Sequence, residues 1–400
     1  MQNSITYAIV NARIFDGVKI LESTPVIVKG TKIEKIGGEA PTDAVIIDGK
    51  NCTLLPGLID AHTHTDASQL REALRFGVTT EIEMMGQWTK EERKIVEEDD
   101  NSAAVISSGP IITPPNGHPY QLIGGGPIIP HSDTPQEIRA YVDFLVANGS
   151  DFIKIMIEEG TVFRTPGLPM LKKEVLIAAV EQTHKHGKLA VAHTLTAETT
   201  KQAIEAGIDC LAHLFLDRPE YTSELIEAIA KSGVFMTPCL CYNSAMIGNT
   251  GESFAADKRV HAKLSEQWLK TLCSSFNAYP QGKFEDSLAN AADLRKAGVD
   301  LLIGTDVTAA PVPSLGGRAH GASAHHELQL FVMAGFSPLE ALRCATSIPA
   351  KRFGLQDRGN IAEGARADLL LVEGDPAIDI SETLNIKTIW RRGSCFRLSD

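Results

Sequence analysis

Residues 151–214 read DFIKIMIEEGTVFRTPGLPMLKKEVLIAAVEQTHKHGKLAVAHTLTAETTKQAIEAGIDCLAHL. Three short apolar runs, DFIKIMI (151–157), KLAVAHT (188–194) and IDCLAHL (208–214), are separated by KKEVLIAAVEQTHKHG (172–187) and AETTKQAIEAG (197–207). The runs have strand length, and the segments between them repeat apolar residues at helical spacing and end on glycine. Strands that are apolar on both faces and alternate with helices belong to a parallel sheet covered by those helices. The same texture extends outward to GLIDAHTH (57–64), GVTTEIEM (77–84), AAVISSGPII (103–112), GVFMTP (233–238) and VDLLIGTD (299–306). Eight strands alternating with helices over about 250 residues predict an α/β chain built as a (β/α)8 TIM barrel. A doubly wound open sheet is the runner-up, but no Gly-rich nucleotide loop follows the first strand.

The two ends read differently. YAIVNARIFDG, TPVIVKGTKIEKIGG and AVIIDGKNCTLL are short alternating strands punctuated by Gly, Asn and Asp, and ARADLLLVEGDP and IKTIWRRGSCFRL return to that texture near the other end. Neither piece carries enough apolar surface to stand alone. Residues 1–55 and 358–400 are therefore expected to pair into one composite β-sandwich domain beside a barrel of residues 56–357. The stretch 239–298 is long for a barrel connection and contains helical pieces, so it is expected as an insertion walling the barrel mouth.

Asp plus Glu outnumber Lys plus Arg by 50 to 38, and no basic block reverses the resulting charge of −12 locally. Such a chain repels phosphate backbones, which argues against nucleic-acid binding. No apolar run of about 18 residues suggests a membrane span. No signal-peptide pattern is visible at the start. The seven scattered cysteines read as reduced thiols of a cytoplasmic protein.

His62 and His64 close the first barrel strand, and period 2 puts both imidazoles on one face, where they suit a first-row metal. Lys154 shares a strand face with Phe152 and Met156, so its ammonium points into a buried place. It is either a lysine snorkelling or paired with Glu158, or one carboxylated by CO2 to a bridging carbamate. His193, His213 and Asp306 sit at the polar ends of three further strands, where barrel active sites collect residues. Strands one, four, five, six and eight thus each end in a candidate ligand.

PGLIDAHTH (56–64), FIKIM (152–156), AVAHT, CLAHL, GTD (304–306), HHELQLFVMAGFSPLEALRCATSIPAKRFGL (325–355) and GNIAEGARADLLLVEGDP (359–376) together resemble the metal-dependent amidohydrolases over nearly the whole chain. The resemblance is to the branch of imidazolonepropionase-like proteins, Xaa-Pro dipeptidases and the fungal amidase that cleaves ochratoxin. It implies two divalent metal ions, usually zinc: His62, His64 and Asp306 on one, His193 and His213 on the other, and carboxylated Lys154 between them. An uncarboxylated ammonium about 4 Å from a metal would add repulsion on the order of 4 kcal/mol per unit charge at an effective dielectric near 20. The implied reaction is hydrolysis of an amide by a metal-bridging hydroxide, with Asp306 as base and then acid. The substrate would be a dipeptide, an N-acyl amino acid or an aryl-amide conjugate. The alternative is ring opening of a cyclic amide or lactone, or deamination of a heterocycle. Mononuclear deaminases of the superfamily generally lack the strand-four lysine. A homo-oligomer is the family expectation.

His118, in the loop PPNGHPY, is a candidate substrate or oxyanion group, although the family's Gly-Gly-His element is here Asn-Gly-His-Pro. Tyr120 and Arg164 are candidates to meet a substrate carboxylate or carbonyl. His184 and His186 fall in a helix end and read as solvated, and His325 and His326 as structural. Tyr242, Met246 and Trp268 are the apolar candidates of the insertion.

Overall fold

The computed structural model describes residues 5–123 and 134–396. The first strands are β1 (Thr6–Val10), β2 (Arg13–Phe15), β3 (Ile20–Leu21), β4 (Val26–Lys29), β5 (Lys32–Ile36), β6 (Val45–Asp48) and β7 (Cys52–Pro56). The middle of the chain supplies β8 (Leu58–Thr63), β9 (Val78–Glu83), β10 (Ala104–Ser107), β11 (Ile153–Met156), β12 (Ala190–His193), β13 (Cys210–Ala212) and β14 (Phe235–Thr237). The last are β15 (Leu369–Glu373), β16 (Ile386–Arg391) and β17 (Ser394–Phe396). The fold is mixed α/β.

In the middle of the chain every strand pairing is parallel. One sheet has the order β10-β9-β8 and another β11-β12-β13-β14. Isolated parallel bridges join Ile112 to Ile155, Met236 to Leu301, and Thr63 to Val307. The pairings therefore run from β8 through β14 to residues 301–307 and return to β8. Helices fill the gaps between strands, among them Lys173–Lys185 and Ala197–Glu205.

Seven of the eight apolar runs contain a strand. The eighth, 299–306, differs from expectation: it makes bridges and single hydrogen bonds but no regular strand. Two features of GTD explain this. A Cβ on Gly304 would stand 2.8 Å from the His62 Cβ, so the backbone passes too close for a side chain. Asp306 then adopts φ 52°, which turns the chain out of extended geometry.

Strand alternation feeds two apolar clusters. Phe152, Val191, Cys210, Phe235 and Leu302 pack in one, while Ile153, Ile155, Ala190, Ala192 and Leu211 pack in another with helix residues such as Val175, Ala179 and Ala203. Each fully buried aliphatic or aromatic side chain contributes roughly 1.5–3 kcal/mol by leaving water. Both faces are thus committed, and a polar residue on them needs a reason.

The ends of the chain meet. β7 pairs antiparallel with β15, so a six-stranded sheet of order β17-β16-β15-β7-β2-β3 draws on both termini. Ile9, Val26 and Ile33 of the separate β5-β4-β1-β6 sheet share a core with Leu54, Leu369 and Trp390. The stretch 239–298 holds the helices Leu240–Met246, Glu252–Ala255, Lys258–His261, Glu266–Leu272 and Phe284–Lys296. Among the described residues, no helix is long and apolar enough to cross a membrane.

Trp390 is fully buried in the shared core and meets Tyr7 edge-on at 6.2 Å between ring centroids. Trp390→Ala is expected to cost about 3–5 kcal/mol of unfolding free energy, checked by urea denaturation. A loss below about 1 kcal/mol would show that the two sheets do not depend on this core.

Candidate active site

Parallel register levels the carboxyl ends of the strands. Met156 pairs with His193, His193 with Ala212, and Ala212 with Thr237. His213 follows directly in the left-handed region at φ 81°, which re-aims its ring. On the far side, the His62 carbonyl accepts the amides of Thr305 (3.1 Å) and Asp306 (2.8 Å). Asp60, fully buried, accepts the His62 and Thr305 amides and the Thr305 hydroxyl. Asp306 is thereby fixed against β8.

The result is one cavity of about 270 Å³ lined by His62, His64, His118, Lys154, His193, His213 and Asp306, with Tyr242, Phe276 and Arg318 among the others. Asp306 Oδ1 lies 3.3 Å from His62 Nε2 and 3.0 Å from His64 Nε2. The imidazoles form a chain of ring contacts: His62 to His213 at 4.6 Å, His213 to His193 at 4.7 Å, and His193 to His118 at 4.6 Å.

Electrostatics make His62, His193 and Asp306 donors of electron pairs. Burial pushes His62 and His193 down to about 3, so both rings are neutral at pH 7. Burial opposes the charge on Asp306, but His62 and His64 beside it hold its carboxyl well below the usual range. His64 is also penalised by burial, yet Asp306 and Glu83 raise it to about 9. Burial lowers the Lys154 ammonium to about 8.

Do these residues fit a metal? His64 Nδ1, His193 Nε2 and His213 Nδ1 are buried without a hydrogen-bond partner among the described residues. Orphaned imidazole nitrogens are costly unless a ligand satisfies them. The donor atoms of His62, His64 and Asp306 lie within 4.8 Å of one another, as do those of His62, His213 and Cys239. Neutral imidazoles with a carboxylate suit a divalent first-row ion. The donor set fits.

Several placements depart from expectation. Glu158 does not pair with Lys154: its Oε1 accepts the Gly160 amide and its Oε2 lies 3.5 Å from His193 Nε2. Arg164 is turned away from the cavity, donating to the carbonyls of Asn277 and Ala278. Tyr120 is not among the lining residues, though its neighbours His118, Pro119 and Leu122 are. Of the insertion's candidates only Tyr242 lines the cavity; Met246 and Trp268 are buried in separate apolar clusters. His184 and His186 pair at the surface with Asp209 and Asp143. His325 bonds Thr383 and the Phe76 carbonyl, while the His326 ring stacks on Phe254. Sequence reasoning missed Glu83 and Arg318, and Cys239, whose Sγ is 3.4 Å from His62 Nδ1. Two carboxylates in the apolar strand VTTEIE were a readable sign of the first.

The model of the amidohydrolase family matches residues 53–395. The chain belongs to the amidohydrolase family. It is thus a hydrolase acting on C–N bonds. The imidazolonepropionase of Idiomarina loihiensis is 24% identical over 94% of this chain and 93% of its own length. A solved Xaa-Pro dipeptidase with methionine bound in its active site superimposes with a TM-score of 0.75 at 22% identity, covering 98% of this chain and 100% of that one. The ochratoxinase of A. niger gives 0.74 at 21% identity over 99% and 96%. At these identities the two structures establish a shared fold for this amidohydrolase.

Tyr242 stands where it does because Glu327 holds its helix. The fully buried Glu327 carboxylate accepts the Leu240 and Cys241 amides at 2.7 and 2.8 Å. Burial raises this carboxyl from 4.5 to about 7. A raised acid favours the protonated folded state, so its contribution to stability is complete below pH 4.5 and is lost as pH rises through 7. Glu327→Gln keeps that position neutral. Its stability relative to the native chain is expected to rise by up to about 3 kcal/mol between pH 4.5 and 8, read by urea unfolding at both values. A pH-independent difference would show that Glu327 titrates as an ordinary carboxylate.

Proposed function

We propose that this amidohydrolase is a dinuclear metal-dependent amidase cleaving a dipeptide, an N-acyl amino acid or an aryl-amide conjugate. One observation carries the reading: a buried lysine, Lys154, shares its cavity with Asp306 and with the neutral imidazoles of His193 and His213, each with a ring nitrogen unpartnered among the described residues. His62, His64 and Asp306 would hold one ion, and His193 and His213 the other. Among the described residues, His193 and His213 belong to no three-donor group with a shared carboxylate, so the ligand between the two sets would come from Lys154 as a CO2-derived carbamate. Two divalent ions, zinc by family resemblance, supply Lewis acidity to a water and to an amide carbonyl when bound.

The chain's own residues do the rest. Asp306 accepts the proton of the attacking water and returns it to the leaving nitrogen. His118 accepts the Gln121 side-chain amide at Nδ1 (2.8 Å), which leaves Nε2–H as a donor for the developing oxyanion. Burial keeps that ring neutral. Phe163 also packs against this imidazole, nearly parallel to it, at 4.6 Å between ring centroids. The parallel pairings and bridges support reading residues 56–357 as a (β/α)8 barrel, and the β7–β15 pairing supports reading residues 1–55 and 358–400 as a composite β-sandwich domain. The full-length similarity to an imidazolonepropionase favours ring opening of a cyclic amide as the second reading.

Asp306→Asn is expected to lower amide turnover by about 10²–10⁴-fold while substrate still binds, since an amide cannot shuttle the proton. Steady-state kinetics with metal analysis on the same sample check this. Wild-type turnover at full metal content would move the base elsewhere.

Lys154→Ala is expected to lower metal content from two equivalents per chain, abolish hydrolysis and leave unfolding cooperative. Acetate or propionate added at fixed zinc would then restore part of both metal content and rate. A variant that keeps two metals and full activity without added acid would make Lys154 an ordinary buried lysine.

A further inference from the structure

Arg318 follows the short turn Pro313–Leu315 and lines the cavity, yet it is only 3% exposed. Its Nη2 donates to the Leu315 carbonyl at 2.8 Å, and its guanidinium carbon lies 4.8 Å from the centre of the Tyr242 ring. Nε and Nη1 have no acceptor among the described residues. Asp306, the carboxylate lining this cavity, is occupied by His62 and His64. A guanidinium cannot shed its proton, so its burial with no counter-charge paired to it among the described residues is a standing cost that an anion entering the cavity would relieve.

The surroundings narrow the ligand. Leu315, Phe276, Met156 and Tyr242 line the same cavity, so the molecule that meets Arg318 has an apolar body. One guanidinium balances one negative charge, which suits a carboxylate better than a phosphate dianion. Tyr242 connects this anchor to the chemistry, because its ring centroid also lies 4.8 Å from that of His213. An anion held at Arg318 therefore keeps a bond a few atoms away beside the imidazoles.

We propose that Arg318 is a substrate-binding residue that holds a free carboxylate, making this enzyme selective for amides of amino acids with apolar side chains over neutral amides. The proposal rests on the amidase reading and names its substrate class. It assigns to Arg318 the role that sequence alone offered to Arg164.

The test compares N-acetyl-L-phenylalanine with N-acetylphenethylamine, the same amide without the carboxylate. Wild-type kcat/KM should favour the acid by about 10- to 100-fold, the range of a charge-assisted hydrogen bond, chiefly through KM. Arg318→Gln should bring the ratio of the two substrates close to one, with Arg318→Lys between. In parallel, calorimetry on the proteins as purified compares phenylacetate with phenylacetamide. Wild type should bind the acid at least about ten times more tightly, and Arg318→Gln should lose that preference while melting no lower than wild type. If neither amide is cleaved but the Arg318-dependent preference for phenylacetate persists, the amidase reading fails and the anchor stands. If both amides are cleaved with equal efficiency by wild type, or if the preference survives Arg318→Gln, the anchor is overturned and the amidase reading stands.

Discussion

The backbone of His62 is where the two halves of the site are tied together. Its carbonyl accepts two consecutive amides, Thr305 and Asp306, while Asp60 grips Thr305 from the same strand. Buried amides must be paired, so this short segment has a single register against β8. That register brings the Asp306 carboxylate to the imidazoles of His62 and His64 and returns the parallel pairing to its first strand. The missing side chain of Gly304 permits the approach. The meeting of carboxylate and imidazoles and the return of the pairing to β8 thus hang on the same few hydrogen bonds.

The interior is divided by what it can tolerate. Where strand faces meet helices, aliphatic packing is continuous and stabilises the fold. At the level carboxyl ends the chain instead buries four imidazoles, a lysine, an arginine and a carboxylate, several of them without partners. Such groups cost rather than contribute free energy. The scaffold offsets that cost elsewhere, through the apolar clusters under the helices and between the terminal sheets. Concentrated instability of this kind is the physical mark of a place built for ligands.

Much of the site was readable because strand period and strand ends are local properties. His62, His64, Lys154, His193, His213 and Asp306 could be picked out one run at a time, and they line one cavity. What could not be read was set by distant partners. Nothing local distinguishes Arg164, spent on two carbonyls more than a hundred residues away, from Arg318, which lines the cavity with Nε and Nη1 unpaired among the described residues. Residues 299–306 read as a strand because apolar content is local, whereas the close pass at Gly304 and the left-handed Asp306 depend on His62 being opposite. Glu158 likewise turned to His193 instead of the lysine four residues before it.

The pairing of β7 with β15 has a consequence for how the molecule is made. Pro56 faces Leu369, so a strand finished early in synthesis lacks its neighbour until about three hundred residues more have left the ribosome. At about 5–20 residues per second that interval is roughly 15–60 s. Throughout it, the apolar faces of Leu54 and Leu55 and the open edge of β7 have no C-terminal strand to cover them. An unpaired strand edge is a template for pairing with another chain, so the edge of β7 is open to misassociation until residue 369 has emerged.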